Sequence, residues 1–167
     1  MHNNSLPAHP ELVEGNEREQ GQYVQSKCRT LGLDVGERRI GLAISDRDGS
    51  LATPFSVIER RGLERDIAAI LKLVRQEEVG QIVVGEPLSL DGSVGPQAKR
   101  TLAFYEALKA ASPVPVATWD ERFSTVEAER LLREAGIAPS RNRARLDAAA
   151  AAVILQGYLD AHRQPAA

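Results

Sequence analysis

The sequence predicts an α/β domain: a mixed five-stranded sheet, three antiparallel strands followed by βα crossovers, with helices on both faces. Three observations support this. Two apolar runs, Arg29–Val35 and Arg39–Ser45, are joined through the turn segment GERR, short enough for a hairpin. After a third apolar run over residues 51–58, the apolar spacing changes from that of a strand to that of a helix. Short apolar runs then alternate with helical segments, the order expected of parallel strands joined by crossovers.

In order, the turn DRDGS separates the second strand from the third. In GLERDIAAILKLVRQEEVG, Leu63, Ile67, Ile70, Leu71 and Val74 share one helical face, and Gly80 reads as the stop signal. QIVVGEP has the short, fully apolar character of a buried parallel strand. The Gly-rich loop SLDGSVGP leads into a helix over residues 97–110 and can offer backbone N–H groups to a phosphate, or serve as a plain connector. VPVATWDER is a further strand, and STVEAERLLREAG a further helix, with Ser124 and Glu127 at capping-box spacing. The Arg-rich connector IAPSRNRAR precedes a last helix, LDAAAAAVILQGYLDAHR, which Asp147 opens. The order β-β-β-α-β-α-β-α-α is the ribonuclease H-like arrangement, in which ligands gather at the carboxyl ends of the strands. The domain is expected over residues 27–163. Residues 1–26 are polar, without periodicity, and read as a disordered tail; residues 164–167 form a short C-terminal tail.

A chain of 167 residues is long enough for one well-formed core. Its formal net charge of −2 gives no global electrostatic footprint for nucleic acid. Lys occurs only at Lys27, Lys72, Lys99 and Lys109, and every other basic residue is Arg. Arg suits bidentate phosphate recognition, although GC-rich coding produces the same bias. Aromatic residues are too few for an extended base-stacking surface. The single cysteine, Cys28, excludes an intramolecular disulfide and suits a reducing cytosol. No apolar run approaches membrane-spanning length, and the first residues lack a signal pattern, so a cytoplasmic protein without membrane contact is expected.

Three acids lie where such a fold concentrates chemistry. Asp34 ends the first strand, Glu121 ends VPVATWDER, and Asp147 lies at the last helix. The strands bearing Asp34 and Glu121 are expected to be neighbours. A cluster of three carboxylates is self-repelling and implies a cation; oxygen-only ligation suits Mg²⁺ or Mn²⁺, and the only histidines, His2, His9 and His162, fall near the ends of the chain, away from a zinc pattern. Each acid also has a structural alternative: a turn residue for Asp34, a helix N-cap for Asp147, an ion pair with Arg122 or Arg130 for Glu121. Asp120 competes with Glu121, since adjacent strand residues face opposite sides, and period alone does not choose between them.

Taken together, LGLDVGERRIGLAISD, IVVGEPLSLDGSVGPQAKR, DERFSTVEAERLL and LDAAAAAVILQGYLD resemble the hallmark segments of the YqgF/RuvX family, from about Thr30 to Asp160. These are ribonuclease H-like proteins described as Holliday junction resolvases and as nucleases that process the 16S ribosomal RNA precursor. The resemblance implies that Asp34, Glu121 and Asp147 are the metal-binding catalytic acids, and so prefers Glu121 to Asp120. Two departures stand out. Gly85-Glu86-Pro87 replaces the family's Gly-Leu-Pro, setting an acid beside a possible phosphate path. Arg141, Arg143 and Arg145 replace a Lys-rich stretch and keep its charge. With Arg38, Arg39 and Arg122 they place positive charge near every candidate ligand, as a polyanionic substrate requires.

The expected activity is metal-dependent hydrolysis of phosphodiester bonds in structured nucleic acid, foremost the precursor of 16S ribosomal RNA, whose partners include ribosomal precursor particles. A Holliday junction resolvase would share the chemistry and act as a homodimer to cut two strands; the sequence leaves monomer and homodimer open. A non-catalytic ribosome-assembly or transcription factor is the alternative outside enzymology. GLDVGERRIGLAI also resembles the phosphate hairpin of actin-like and sugar kinase ATPases, but those enclose a nucleotide between two such domains, and this chain is too short for two.

Overall fold

The computed structural model describes residues 28–86, 95–120, 124–136 and 142–163. The two expected tails and most of the SLDGSVGP loop lie outside these residues. The chain forms β1 (Arg29–Val35), β2 (Arg39–Ser45), β3 (Ala52–Glu59), α1 (Leu63–Gln76), β4 (Val79–Glu86), α2 (Pro96–Ala111), β5 (Val116–Asp120), α3 (Ser124–Glu134) and α4 (Arg143–Ala161). The sheet runs β3-β2-β1-β4-β5. β1 pairs antiparallel with β2, and β2 with β3, whereas β1–β4 and β4–β5 are parallel. The mixed five-stranded sheet with helices on both faces matches the sequence expectation. No helix among the described residues is long and apolar enough to cross a membrane.

Strand alternation divides the core into two layers. Leu31, Leu33 and Val35 of β1, with Ile40, Leu42 and Ile44 of β2 and Ile82 and Val84 of β4, pack against Ile67, Ile70 and Val74 of α1 and Phe104 and Leu108 of α2. The opposite face carries Ala43 and Val83 against Ala151, Ile154, Leu155 and Leu159 of α4. α3 adds Ala128 and Leu132 onto Ala149 and Ala150 of α4. The alanine run is thus a packing surface whose small side chains let α4 lie close to both the sheet and α3.

The strand order corrects one expectation. α1 and α2 cover the same face, so two crossovers of one hand step outward in one direction, putting β4 beside β1 and β5 beyond it. The strand leading to Glu121 is therefore not the neighbour of β1. Gly85 lies between them, one step past the Leu33–Val84 pair and in register with Trp119, and contributes no side chain.

The end of α1 is another correction. The helix finishes at Gln76, and Glu78 makes the reversal at φ 55°, its carboxylate taking a hydrogen bond from Arg47 at 2.6 Å. Gly80 is already inside β4, where a Cβ would lie 2.4 Å from that of Cys28. Its role is close strand packing, not helix termination.

Within the predicted apolar face of α1, Asp66 is buried and Leu63 is exposed. The Asp66 carboxylate accepts from Arg60 Nε at 3.2 Å and from the Arg61 amide at 2.9 Å. Arg60 also donates from Nη1 to the Gly36 carbonyl at 3.2 Å, and from its main chain to the Arg38 carbonyl at 2.9 Å. Its guanidinium lies 5.4 Å from the centre of the Phe104 ring, a cation–π distance. One buried acid therefore fastens the β1–β2 turn to the helical layer. At the β2–β3 turn, Asp46 accepts from the Ser50 amide at 2.8 Å and the Ser50 hydroxyl at 2.7 Å.

Two stability measurements follow from these anchors. Asp66→Ala leaves the partly buried Arg60 without its counter-charge and should lower the unfolding free energy by about 3 kcal/mol in urea titration. The Ser50 hydroxyl, the largest influence, holds the Asp46 carboxyl below its ordinary value of 3.8. A depressed folded-state pKa stabilises at neutral pH and ceases to do so as pH falls through it. The stability gap between wild type and Asp46→Ala should therefore be constant above about pH 5 and close in stronger acid.

Candidate active site

The candidate site is set by the parity of β1. Leu33 and Val35 face α1 and α2, so Asp34, like Thr30 and Gly32, faces α4. It is half-buried at the carboxyl end of its strand. Its partner in β2 is Gly41. A Cβ on Gly41 would lie 2.1 Å from the Asp147 carbonyl oxygen, and one on Gly32 would lie 2.7 Å from Leu155 Cβ. Two glycines thus let α4 rest directly on β1 and β2. As a result, Asp34 and Asp147 flank Gly41.

α4 starts earlier than the sequence suggests. Asn142 is its N-cap, and the side-chain oxygen accepts from the Arg145 amide at 3.1 Å. Asp147 therefore lies in the second turn and neither opens nor caps the helix. Its carboxylate accepts from Arg39 Nε at 2.6 Å, with both side chains a little over a quarter exposed. Arg39, first residue of β2, reaches Asp147 because odd positions of β2 face α4.

The other arginines are distributed unevenly. Arg38 is exposed in the β1–β2 turn. Arg143 is exposed one helical turn before Asp147 and on the same side of α4. Arg145, two residues before Asp147, lies on the other side, where with Pro54, Phe55, Val57 and Leu132 it lines a cavity of about 480 Å³. Glu121, Arg122 and Arg141 are outside the described residues.

Alternation also sorts the remaining strand-end acids. Glu86 and Asp120 are register partners, and each continues the parity of Val84 and Val116, which face α1 and α2. Both are therefore on the sheet face opposite Asp34. Trp119 has the other parity and packs on α4, where a Cβ on Gly157 would meet its Nε1 at 2.9 Å.

Among the described residues, no three His, Cys, Asp or Glu side chains gather in a metal-binding group. The described donors are Asp34 and Asp147, with neither imidazole nor thiolate beside them, an oxygen-only set that suits Mg²⁺ or Mn²⁺. Sequence reasoning missed Gly41. Its one signal is a glycine inside the strand RIGLAIS, the mark of a close backbone approach.

Gly41→Ala should be disproportionate for one methyl group. The contact is with main chain, which cannot rotate away, so about 2 kcal/mol or more of stability is lost on urea unfolding. The Arg39–Asp147 contact should loosen with it, detectable as faster amide exchange in the first turns of α4.

Comparison with known proteins bears on the family and the fold. The model of the RuvX family, described as Holliday junction resolvase, matches residues 28–161. A Symbiobacterium thermophilum protein named "Putative pre-16S rRNA nuclease" is 51% identical over 133 residues, covering 80% of this chain and 92% of the relative. An Anaeromyxobacter protein of the same name is 52% identical over 132 residues, 79% of this chain and 96% of the relative. Among solved structures, Thermus thermophilus RuvC in complex with a Holliday junction superposes with a TM-score of 0.53 at 17% identity, covering 80% of this chain and 94% of that one. Fowlpox virus resolvase with junction DNA gives 0.52 at 9% identity, over 81% and 99%. These two likenesses bear on the fold, which is RuvC-like. With a family model over residues 28–161 and relatives near half-identical over most of their length, this chain belongs to the RuvX family.

Proposed function

We propose that the protein is a metal-dependent endonuclease that processes the precursor of 16S ribosomal RNA. The observation that carries this reading is the pair of acids, Asp34 and Asp147, flanking Gly41 at the carboxyl ends of the strands with Arg39 seated on Asp147. The names of the half-identical relatives support the choice of substrate.

In this reading Asp34, Glu121 and Asp147 hold the cation. The family resemblance prefers Glu121 to Asp120, and Asp120 lies on the sheet face opposite Asp34. Mg²⁺ or Mn²⁺ when bound would supply Lewis-acid polarisation of the phosphodiester and a more acidic water. The chain's own contribution is charge and placement. Arg38, Arg39, Arg122, Arg141 and Arg143 offset the acids and hold phosphates, so a polyanion can approach a carboxylate site, whereas Arg145, on the other side of α4, stands apart from it. Asp34, on a central strand, and Asp147, on a helix fixed by Gly41, stay in register during hydrolysis. Glu86, on the other face of the sheet, leaves that approach unobstructed.

A second reading, cleavage of four-way DNA junctions, is favoured by the RuvC-like fold and by the description of the family. One experiment separates the two. Purified protein, Asp34→Asn and Asp147→Asn are compared on an RNA carrying the 16S precursor end and on a four-way DNA junction, with Mn²⁺ or with EDTA. Mn²⁺-dependent cutting of the RNA, reduced at least about a hundredfold in both variants, is expected. Full-rate cutting by Asp34→Asn would remove the cation site from the reading. Cutting of the junction alone would make it a resolvase, and tight binding without cutting in any metal would make it an accessory factor.

A further inference from the structure

We propose that Arg39 is a charge switch: a divalent cation at the site displaces it from Asp147, and the freed guanidinium then binds a backbone phosphate of the nucleic acid. This deepens the nuclease reading and rests on it.

The two arginine–aspartate pairs of the hairpin region differ in the burial of the acid and in how the arginine is otherwise held. Asp66 is 1% exposed, and Arg60, its partner, is tied at the same time to the Gly36 carbonyl and the Phe104 ring. That pair is a fixed strut. The Arg39–Asp147 pair is 28% and 27% exposed, so its members can separate into water without opening the core. Its one hydrogen bond, from Nε, lacks the bidentate form that holds such pairs most firmly, and among the described residues the Arg39 side chain has no second anchor like the Gly36 carbonyl bond of Arg60. Arg39 also begins its strand beside the turn, at the edge of the packed core.

The carboxylate Arg39 holds is one of those the proposed cation would use. Asp147 Oδ2 accepts from Nε at 2.6 Å. A guanidinium and a divalent ion cannot share that oxygen at such range, since they repel each other and compete for its lone pairs. Displacement leaves an uncompensated positive charge at the mouth of the site. The group placed to neutralise it is a phosphate of the strand entering that site, which the planar N–H fork of Arg matches. Cation uptake and substrate capture are thereby coupled through one side chain, with no movement of the main chain.

The test uses full-length protein and a labelled RNA carrying the 16S precursor end, with binding followed across a salt series in EDTA or in Ca²⁺. In EDTA, where Arg39 stays on Asp147, Arg39→Gln should change affinity less than about twofold and leave the salt slope unaltered. In Ca²⁺ it should weaken binding about five- to tenfold and flatten the slope by roughly 0.7 to 0.9, the loss of one phosphate contact. Arg39→Lys, which keeps the charge, should restore the Ca²⁺ slope. In an Asp147→Asn background the Arg39→Gln effect should appear already in EDTA, because Arg39 has lost its internal partner. By calorimetry, Arg39→Gln should bind Mn²⁺ about threefold more tightly than wild type. Equal weakening in EDTA and Ca²⁺, no weakening in either, or unchanged or reduced Mn²⁺ affinity overturns the switch. If wild type takes up no more Mn²⁺ than an Asp34→Asn/Asp147→Asn double variant, the cation site itself is refuted, and the switch with it.

Discussion

The position of Asp147 relative to Asp34 and Arg39 depends on one contact, the main chain of α4 at Asp147 resting against Gly41 of β2. Helices normally stand off a sheet by the length of their side chains. Here a Cβ at position 41 would lie 2.1 Å from a carbonyl oxygen, so that distance exists only because glycine occupies the strand. Gly32 under Leu155 and the alanines at 148–151 extend the same close seam along the helix. The seam fixes both the height and the rotation of α4, and so which side of its second turn meets the sheet. Asp147 is beside Asp34 for that reason, without any attraction between two acids that would otherwise repel.

Around the seam, the protein uses the same pair of residue types in two ways. Asp66 is deep in the helical layer and binds Arg60 together with the Arg61 amide, which makes the β1–β2 turn part of a rigid body. Asp147 is at the surface of the other layer and binds Arg39 through a single, part-exposed bond. A buried pair is costly to break because either partner left alone is an uncompensated charge in low dielectric. A part-exposed pair carries a smaller penalty, so in the proposed switch its partners are open to replacement by a cation and a phosphate. The buried pair braces the scaffold, and the part-exposed one is the pair that the proposed switch opens.

The sheet also separates its acids. Asp34 faces α4, whereas Glu86 and Asp120, side by side in register, face α1 and α2. A one-residue slip of β4 or β5 would exchange these faces, so register and charge distribution are one constraint. Glu86 at the Gly-Glu-Pro departure is thus compatible with a phosphate path on the α4 side. RuvC and the fowlpox resolvase superpose on this fold at 17% and 9% identity, as expected when topology is fixed by patterning and not by particular side chains.

Periodicity in the sequence determined the elements and most of their limits. β1 and β2 fall where apolar alternation ends them, because a residue's face in a strand is a local property. The family resemblance, on four ordered motifs, picked out Asp34, Glu121 and Asp147. Other features depended on what lies opposite a residue in space. Gly80 reads locally as a helix stop, but it packs on Cys28. Asp66 reads as a polar position near the start of an amphipathic helix, but it is buried because Arg60 arrives from another segment. The start of α4 moved to Asn142, whose cap bond outcompeted the apparent signal at Asp147. The place of β4 between β1 and β5 required two crossovers on one face. The meaning of Gly41, and the seating of Arg39 on Asp147 across 108 residues of chain, came only with tertiary structure. Local sequence encodes conformation and amphipathicity, but contact between segments distant in the chain is decided when the layers pack.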